Sequence, residues 1–356
     1  MSGRSELAAV HWLWRFCSPF AETPALPAPD AWADIFKVAD RHLVLPRLAL
    51  GLLPRRDETG DAVADFLEAA LELCRHRNDR LRRQLLTFCR AFNAVGIEPI
   101  LLKGAPFLLA HDASRYRRMM LDIDIWVPDP AQQEQAIRCL HDLGYAMRAD
   151  PATSLHSPHY PPFFHDGEIA RVELHRGIVG STFAGFLDQP AIAAAARPQH
   201  CDGIGYRLLD DRSALALSYL QCRYGVGADK GYVTMMKWLD CLDRVHSMGL
   251  GPVRDRADLG ISGAMEDADR LALTAFSGWG DLPYDGVRDE RFIGLWERGY
   301  RQSVVVRYVQ NVFGAVFTPS LWRDMTGRGL VGILRSHFRN LPSYLRRAGS
   351  RDIFRS

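Results

Sequence analysis

Apolar residues return every third or fourth position from Asp61 to Val95. Val63, Phe66, Leu67, Ala70, Leu71, Cys74, Leu81, Leu85, Phe88, Cys89 and Phe92 form one stripe, the period of a long amphipathic helix. Gly96 is a natural stop for it. Arg75, Arg77, Arg80, Arg82 and Arg83 fall mostly off the stripe and read as a solvated face. No aromatic residues are interleaved with them, so stacking on nucleic-acid bases is not signalled. Upstream, Leu7, Val10, Trp12, Trp14 and Phe16 predict a short helix within residues 5–20, broken by the prolines at 24, 27 and 29. Asp30 is a candidate cap for a helix over 31–39. An apolar stretch follows over 43–53, and residues 54–60 read as a polar linker.

Past Gly96 the period changes. Ile100-Leu101-Leu102 predicts the end of a buried strand over 97–102, and Pro106 suits the first turn of a helix over 105–111. Residues 121–127 and 168–175 alternate, as strands do, with a further β segment over 160–165 and Asp166-Gly167 as the hairpin turn between them. A helix over 131–143 separates the first strand from the rest. Beyond residue 180 the pattern is helical over 189–196, 213–224, 232–248, 263–276 and 290–313, with a strand at 206–209. The tail from Trp322 carries an apolar stripe (Leu330, Ile333, Leu334, His337, Phe338, Leu341) among many arginines; it reads as a docked helix ahead of a membrane-surface helix or a partner site. Together these elements predict an α+β protein: an N-terminal helical region (1–95), a mixed-sheet core (96–209) and a C-terminal helical region with a basic tail (210–356).

The alternation carries chemistry. Side chains at i and i+2 share a face of a strand. Asp122 and Asp124 therefore project together, opposite Leu121, Ile123 and Ile125. Arg171, Glu173 and His175 likewise share a face. If the two strands are neighbours, three carboxylates converge, and such a cluster repels itself unless a cation sits in it. Hard oxygen ligands with open positions suit Mg²⁺ together with substrate phosphates. Aspartate is disfavoured in strands, so two in a run of Leu, Ile, Ile, Trp and Val need a reason. Lys103-Gly104, between a strand and a helix start, is a turn at which a phosphate could be bound: glycine permits close approach and lysine supplies charge.

The ordered set Lys103-Gly104, Arg118-x-x-x-Asp122-Ile-Asp124-Ile-x-Val, Leu143-Gly144-Tyr145, Val172-Glu173-Leu174-His175 and Lys237-Trp238-Leu239-Asp240 resembles the uncharacterised nucleotidyltransferase family of the DNA polymerase β-like superfamily. It departs from better-known superfamily members in having Lys-Gly where they have Gly-Ser. The resemblance implies a polymerase β-like core that moves an NMP from an NTP, ATP among them, to an acceptor and releases pyrophosphate. It implies Asp122, Asp124 and Glu173 as catalytic metal ligands for two Mg²⁺ ions, with Mn²⁺ as a substitute. Lys103, Gly104, Arg118, Lys237 and Asp240 become nucleotide-contact residues. His159 and His175 stand as acceptor contacts or supports for the carboxylates. A peptide, protein or small-molecule acceptor is favoured over nucleic acid. The alternative is a non-catalytic protein that uses the same fold to hold a nucleotide or peptide.

Composition narrows this little. A net charge of +2 favours neither nucleic acid nor a membrane. Seven cysteines, none in a Cys-x-x-Cys pair, argue against a disulfide framework or zinc ribbon and point to a reducing cytosol. No signal-peptide pattern and no apolar run long enough for a bilayer are present, so a cytoplasmic protein is expected. The histidines at 156, 159, 165 and 175 fit no standard zinc spacing. Gly-x-Ser-x-Gly and Walker-type loops are absent, which disfavours serine hydrolases and P-loop enzymes.

Overall fold

A computed structural model describes residues 3–19, 23–148, 157–179, 188–224 and 235–248. The helices expected over 263–276 and 290–313, and the basic tail, lie outside these residues. The N-terminal helices are α1 (Gly3–Cys17), α2 (Trp32–Arg41), α3 (Leu45–Leu52) and α4 (Arg56–Thr59). Two details depart from the sequence pattern. Asp30 lies inside a 3₁₀ turn, Pro29–Ala31, and Ala31 takes the cap position of α2. The stretch read as a linker is itself helical, as a 3₁₀ turn at Leu53–Arg55 and then α4.

Helix α5 (Asp61–Ala94) is 34 residues long, about 50 Å at 1.5 Å per residue. Its stripe serves two cores. Leu67 and Leu71 pack with α1–α3, whereas Leu81, Leu85, Phe88 and Phe92 pack on the sheet. Phe66 lies off the buried stripe, 44% exposed, and stacks on Phe36. The arginines also divide. Arg77 donates to the Met120 carbonyl and Arg82 to Asp202, so they tie the helix to loops, while Arg75 and Arg83 face solvent.

The sheet has seven strands: β1 (Ile100–Leu101), β2 (Asp122–Trp126), β3 (Ala146–Met147), β4 (Phe163–Phe164), β5 (Arg171–His175), β6 (Arg197–Cys201) and β7 (Ile204–Leu208). Their order is β3-β4-β5-β2-β1-β7-β6. β2 and β5 are parallel, as are β1 and β7; the remaining pairs are antiparallel, so the sheet is mixed, as the α+β expectation requires. Between strands lie α6 (Ala105–Leu108), α7 (Pro130–Asp142) and α8 (Gln189–Ala195), and then α9 (Asp211–Tyr224) and α10 (Met235–Ser247).

Alternation gives the sheet two unlike faces. Ile123, Ile125, Val172 and Leu174 join the core with α5 and α7. Ile100 and Trp126, on the other face, pack with Ala193 of α8 and Ala216 and Leu217 of α9. The acidic side chains of β2 and β5 share that second face.

Candidate functional site

Register decides what the two acidic strands can do. In the parallel β2–β5 pair, Asp122 lies opposite Arg171, Asp124 opposite Glu173 and Trp126 opposite His175. Asp124, Glu173 and His175 are all buried, at 3%, 6% and 1% exposure. Their ligand atoms lie within 4.8 Å of one another, a spacing that could hold a metal ion. His175 Nε2 is 2.9 Å from Asp124 Oδ1, and His159 Nε2 is 3.8 Å from Glu173 Oε2.

Lys103 enters the same cluster. Its ammonium pairs with Asp124 Oδ1 and lies 3.8 Å from Glu173 Oε2. The residue has φ +52, the left-handed region that side-chain-bearing residues seldom adopt. The preceding Leu102 N–H donates to the Asp124 carbonyl, which ties this turn to β2. The helix after the turn is a single turn, α6, shorter than the sequence pattern predicts. Lys103 thus faces the acids, where the sequence reading aimed it at a phosphate.

The charges explain the acidities. Burial alone would raise the Asp124 carboxyl, but the Lys103 ammonium and the bond to His175 hold it well below the usual range. Burial, and then the neighbouring Asp124 charge, push Glu173 up. Burial pulls His175 down, with Lys103 adding to the effect. Burial would lower Lys103, yet Asp124 and Glu173 keep it above its ordinary value, so it stays charged. One carboxylate that stays ionised beside one that takes protons more readily is a common acid–base arrangement.

Asp122 sits at the open end of the strand pair. Arg171 Nη2 lies 3.2 Å from Asp122 Oδ2, and Arg171 Nε lies 3.1 Å from Glu173 Oε1. Arg171 therefore bridges two of the three carboxylates. The sequence reading passed over it, although it shares a strand face with Glu173 and His175, and an arginine at that register position was the available signal.

Gly104 and Arg118 are also brought together. A Cβ on Gly104 would run into the Arg118 guanidinium and lie 2.9 Å from Met120 Sδ. Arg118 Nε is 3.1 Å from Asp240 Oδ2, while its Nη1 is buried with no hydrogen-bond partner among the described residues. Burial raises the Asp240 carboxyl against the pull of Arg118. Lys237 is exposed one turn before Asp240 on α10. Nine of the ten candidate residues thus form one group around Asp124 and Glu173 and a second around Arg118 and Asp240, with Lys103-Gly104 joining them; Lys237 lies exposed on the helix that carries Asp240.

The family model described as "uncharacterised nucleotidyltransferase" matches residues 28–222. The chain belongs to that family. The match runs from just before the Pro29–Ala31 turn into α9 and so contains the whole sheet and every carboxylate of β2 and β5. No curated protein and no solved structure matches the chain. Membership supports nucleotidyl transfer in general, and with it an NTP substrate. Divalent metals commonly serve such enzymes, and the buried Asp-Glu-His donors suit one. No helix among the described residues is long and apolar enough to cross a membrane.

Proposed function

We propose that this family member is a divalent-metal-dependent nucleotidyltransferase that moves an NMP from an NTP to an acceptor nucleophile and releases pyrophosphate. The observation that carries this reading is the register that sets Asp124 directly opposite Glu173 on adjacent parallel strands. Asp122, Asp124 and Glu173 would hold Mg²⁺, two ions in all, and the metal would supply positive charge to the reacting phosphoryl oxygens. Asp124 contributes a permanent negative charge. Arg118 Nη1, buried beside Gly104 and without a hydrogen-bond partner among the described residues, offers a donor for phosphate oxygens at the turn. Lys103 is within the same reach once released from the acids.

Glu173 is suited to the acceptor's proton because its carboxylate lies opposite Asp124 at the heart of the cluster. As the acceptor oxygen bonds to the α-phosphorus, its proton passes to Glu173. The bond from that phosphorus to the bridging oxygen breaks, and pyrophosphate leaves with the electron pair. His159 and Arg171 flank Glu173 and hold its carboxylate in position. Lys237 and Asp240 contribute from α10, Asp240 by fixing Arg118. A peptide, protein or small molecule is the favoured acceptor, in a cytoplasmic setting.

The test is pyrophosphate release from each of the four NTPs with Mg²⁺ and a cell extract as acceptor source. Asp124→Asn and Glu173→Gln should each lower the rate by roughly two to three orders of magnitude, comparable to loss of an electrostatic contact in other active sites. Undiminished release from both variants, folded as judged by circular dichroism, would sink the assignment.

A further inference from the structure

Helix α3 carries a glycine in its interior. Gly51 lies within Leu45–Leu52, and glycine is the poorest helix former after proline. Its neighbours give the reason. A Cβ there would come 2.8 Å from Phe16 Cε1 and 3.0 Å from Phe16 Cζ, so the missing side chain is what lets the ring lie on the helix. Trp12 stacks on the same ring, with centroids 5.0 Å apart and planes 14° from parallel. Phe16 and Gly51, so fixed, form part of the wall of a cavity of 680 Å³. That is the size of a small-molecule site.

The polar part of the wall is positive. Arg47, Arg55 and Arg117 line the cavity, and no carboxylate is among its described lining residues. Arg47 takes both oxygens of Asp243, at 2.6 and 2.9 Å, and Arg117 takes one of the same oxygens at 3.0 Å. The next carboxylate on α10, Asp240, is taken by Arg118. Three arginines therefore meet two aspartates, which leaves a positive surplus beside the cavity. Arg117 is the most open of the three, its side chain 33% exposed. Arg55 adds a further guanidinium, whose partner Glu58 is 56% exposed and weakly held. Guanidinium forks match the oxygens of phosphates and carboxylates. Arg47 and Arg117 also line a void of 10 Å³ together with Arg118 and Asp240, so the cavity adjoins that group.

We propose that this cavity binds an anionic small molecule that carries an apolar ring, a phosphate monoester or a carboxylate, with the anionic group at the arginines and the ring at Phe16. None of the residues assigned above to nucleotidyl transfer lines it. The site needs neither the metal nor the NTP.

The experiment is calorimetric titration of the full chain with phenyl phosphate, benzoate, phenol and inorganic phosphate. A chelator is present and nucleotide is left out, so failure here leaves nucleotidyl transfer standing. Phenyl phosphate or benzoate should bind roughly tenfold or more tightly than phenol, the scale of one charge-assisted hydrogen bond. Whichever of the two binds more tightly names the anion. Arg55→Gln/Arg117→Gln should lower that affinity by a similar factor. Gly51→Ala displaces the Phe16 ring and should narrow the preference for phenyl phosphate over inorganic phosphate. Both anions binding no more tightly than phenol, or an affinity unchanged in a folded Arg55→Gln/Arg117→Gln, overturns the site. A preference unchanged in a folded Gly51→Ala overturns the part given to the ring.

Discussion

Gly104 is a residue whose neighbours leave no room for a side chain. A methyl there would sit 3.0 Å from Arg118 Cζ and 2.9 Å from Met120 Sδ. An arginine end is usually free to move, but this one is held to Asp240 at 3.1 Å. Gly104→Ala should therefore cost about 1–3 kcal/mol, the usual scale of overpacking. In Gly104→Ala/Arg118→Ala the tighter clash, with the guanidinium, is gone and only the Met120 thioether must give, so the two losses should fall short of adding by about 1 kcal/mol. Urea denaturation of the four chains gives the answer, and simple additivity would mean that the methyl is accommodated elsewhere. The sequence alone made the acids legible at this scale, because a period of two puts Asp122 with Asp124 and Glu173 with His175 whatever the rest of the fold does. The direction of Lys103 was not legible. It depends on a left-handed backbone at a lysine, which composition does not signal.

Among the elements, α10 is held by a buried set of charges. Asp243 receives Arg47 of α3 at 2.6 and 2.9 Å and Arg117 of the loop before β2 at 3.0 Å, while Asp240 receives Arg118. One helix face thus clamps the N-terminal helices and the Arg117–Arg118 loop. Asp243 is only 13% exposed, so removing it strands two arginines. Asp243→Ala should destabilise the chain by about 3 kcal/mol, the range for a broken buried pair. The same variant should lower nucleotide affinity if Arg118 lies on the phosphate path. Calorimetry and nucleotide titration check the two effects separately. None of these pairs was legible beforehand, since charges so far apart in the chain, 196 residues for Arg47 and Asp243, carry no local pattern. β6 escaped for a different reason. Arg197-Pro-Gln-His has no apolar alternation because it is an exposed edge strand, where proline is tolerated. The helices α5 and α7 were legible because each buries one stripe against a core.

At the scale of the whole molecule, the packing joins segments that the chain keeps apart. Boundaries at residues 95 and 209 follow chain order, yet buried residues of α1, α2 and α3 share one cluster with Leu215 and with Met235, Trp238, Leu239 and Leu242 of α10. His42, just past α2, is a hinge-pin of that cluster. It is 1% exposed, its Nδ1 accepts from the Met235 N–H at 3.1 Å, and its carbonyl accepts from Met236. Burial, helped by the Arg41 charge, pulls its pKa down to about 3. An unfolded chain titrates this ring near 6.5, so between about 6.5 and about 3 the unfolded state binds a proton that the folded state refuses. The contribution of His42 is therefore whole above pH of about 6.5 and declines as the pH falls, by about 1.4 kcal/mol per unit. His42→Asn keeps an acceptor near the Nδ1 position and cannot titrate in this window. Stability curves of the two proteins, measured by urea denaturation from pH 7.5 to 4, should converge toward acid, with the variant's slope shallower by about one proton. Parallel curves would show that protonation of His42 does not limit how these distant segments hold together.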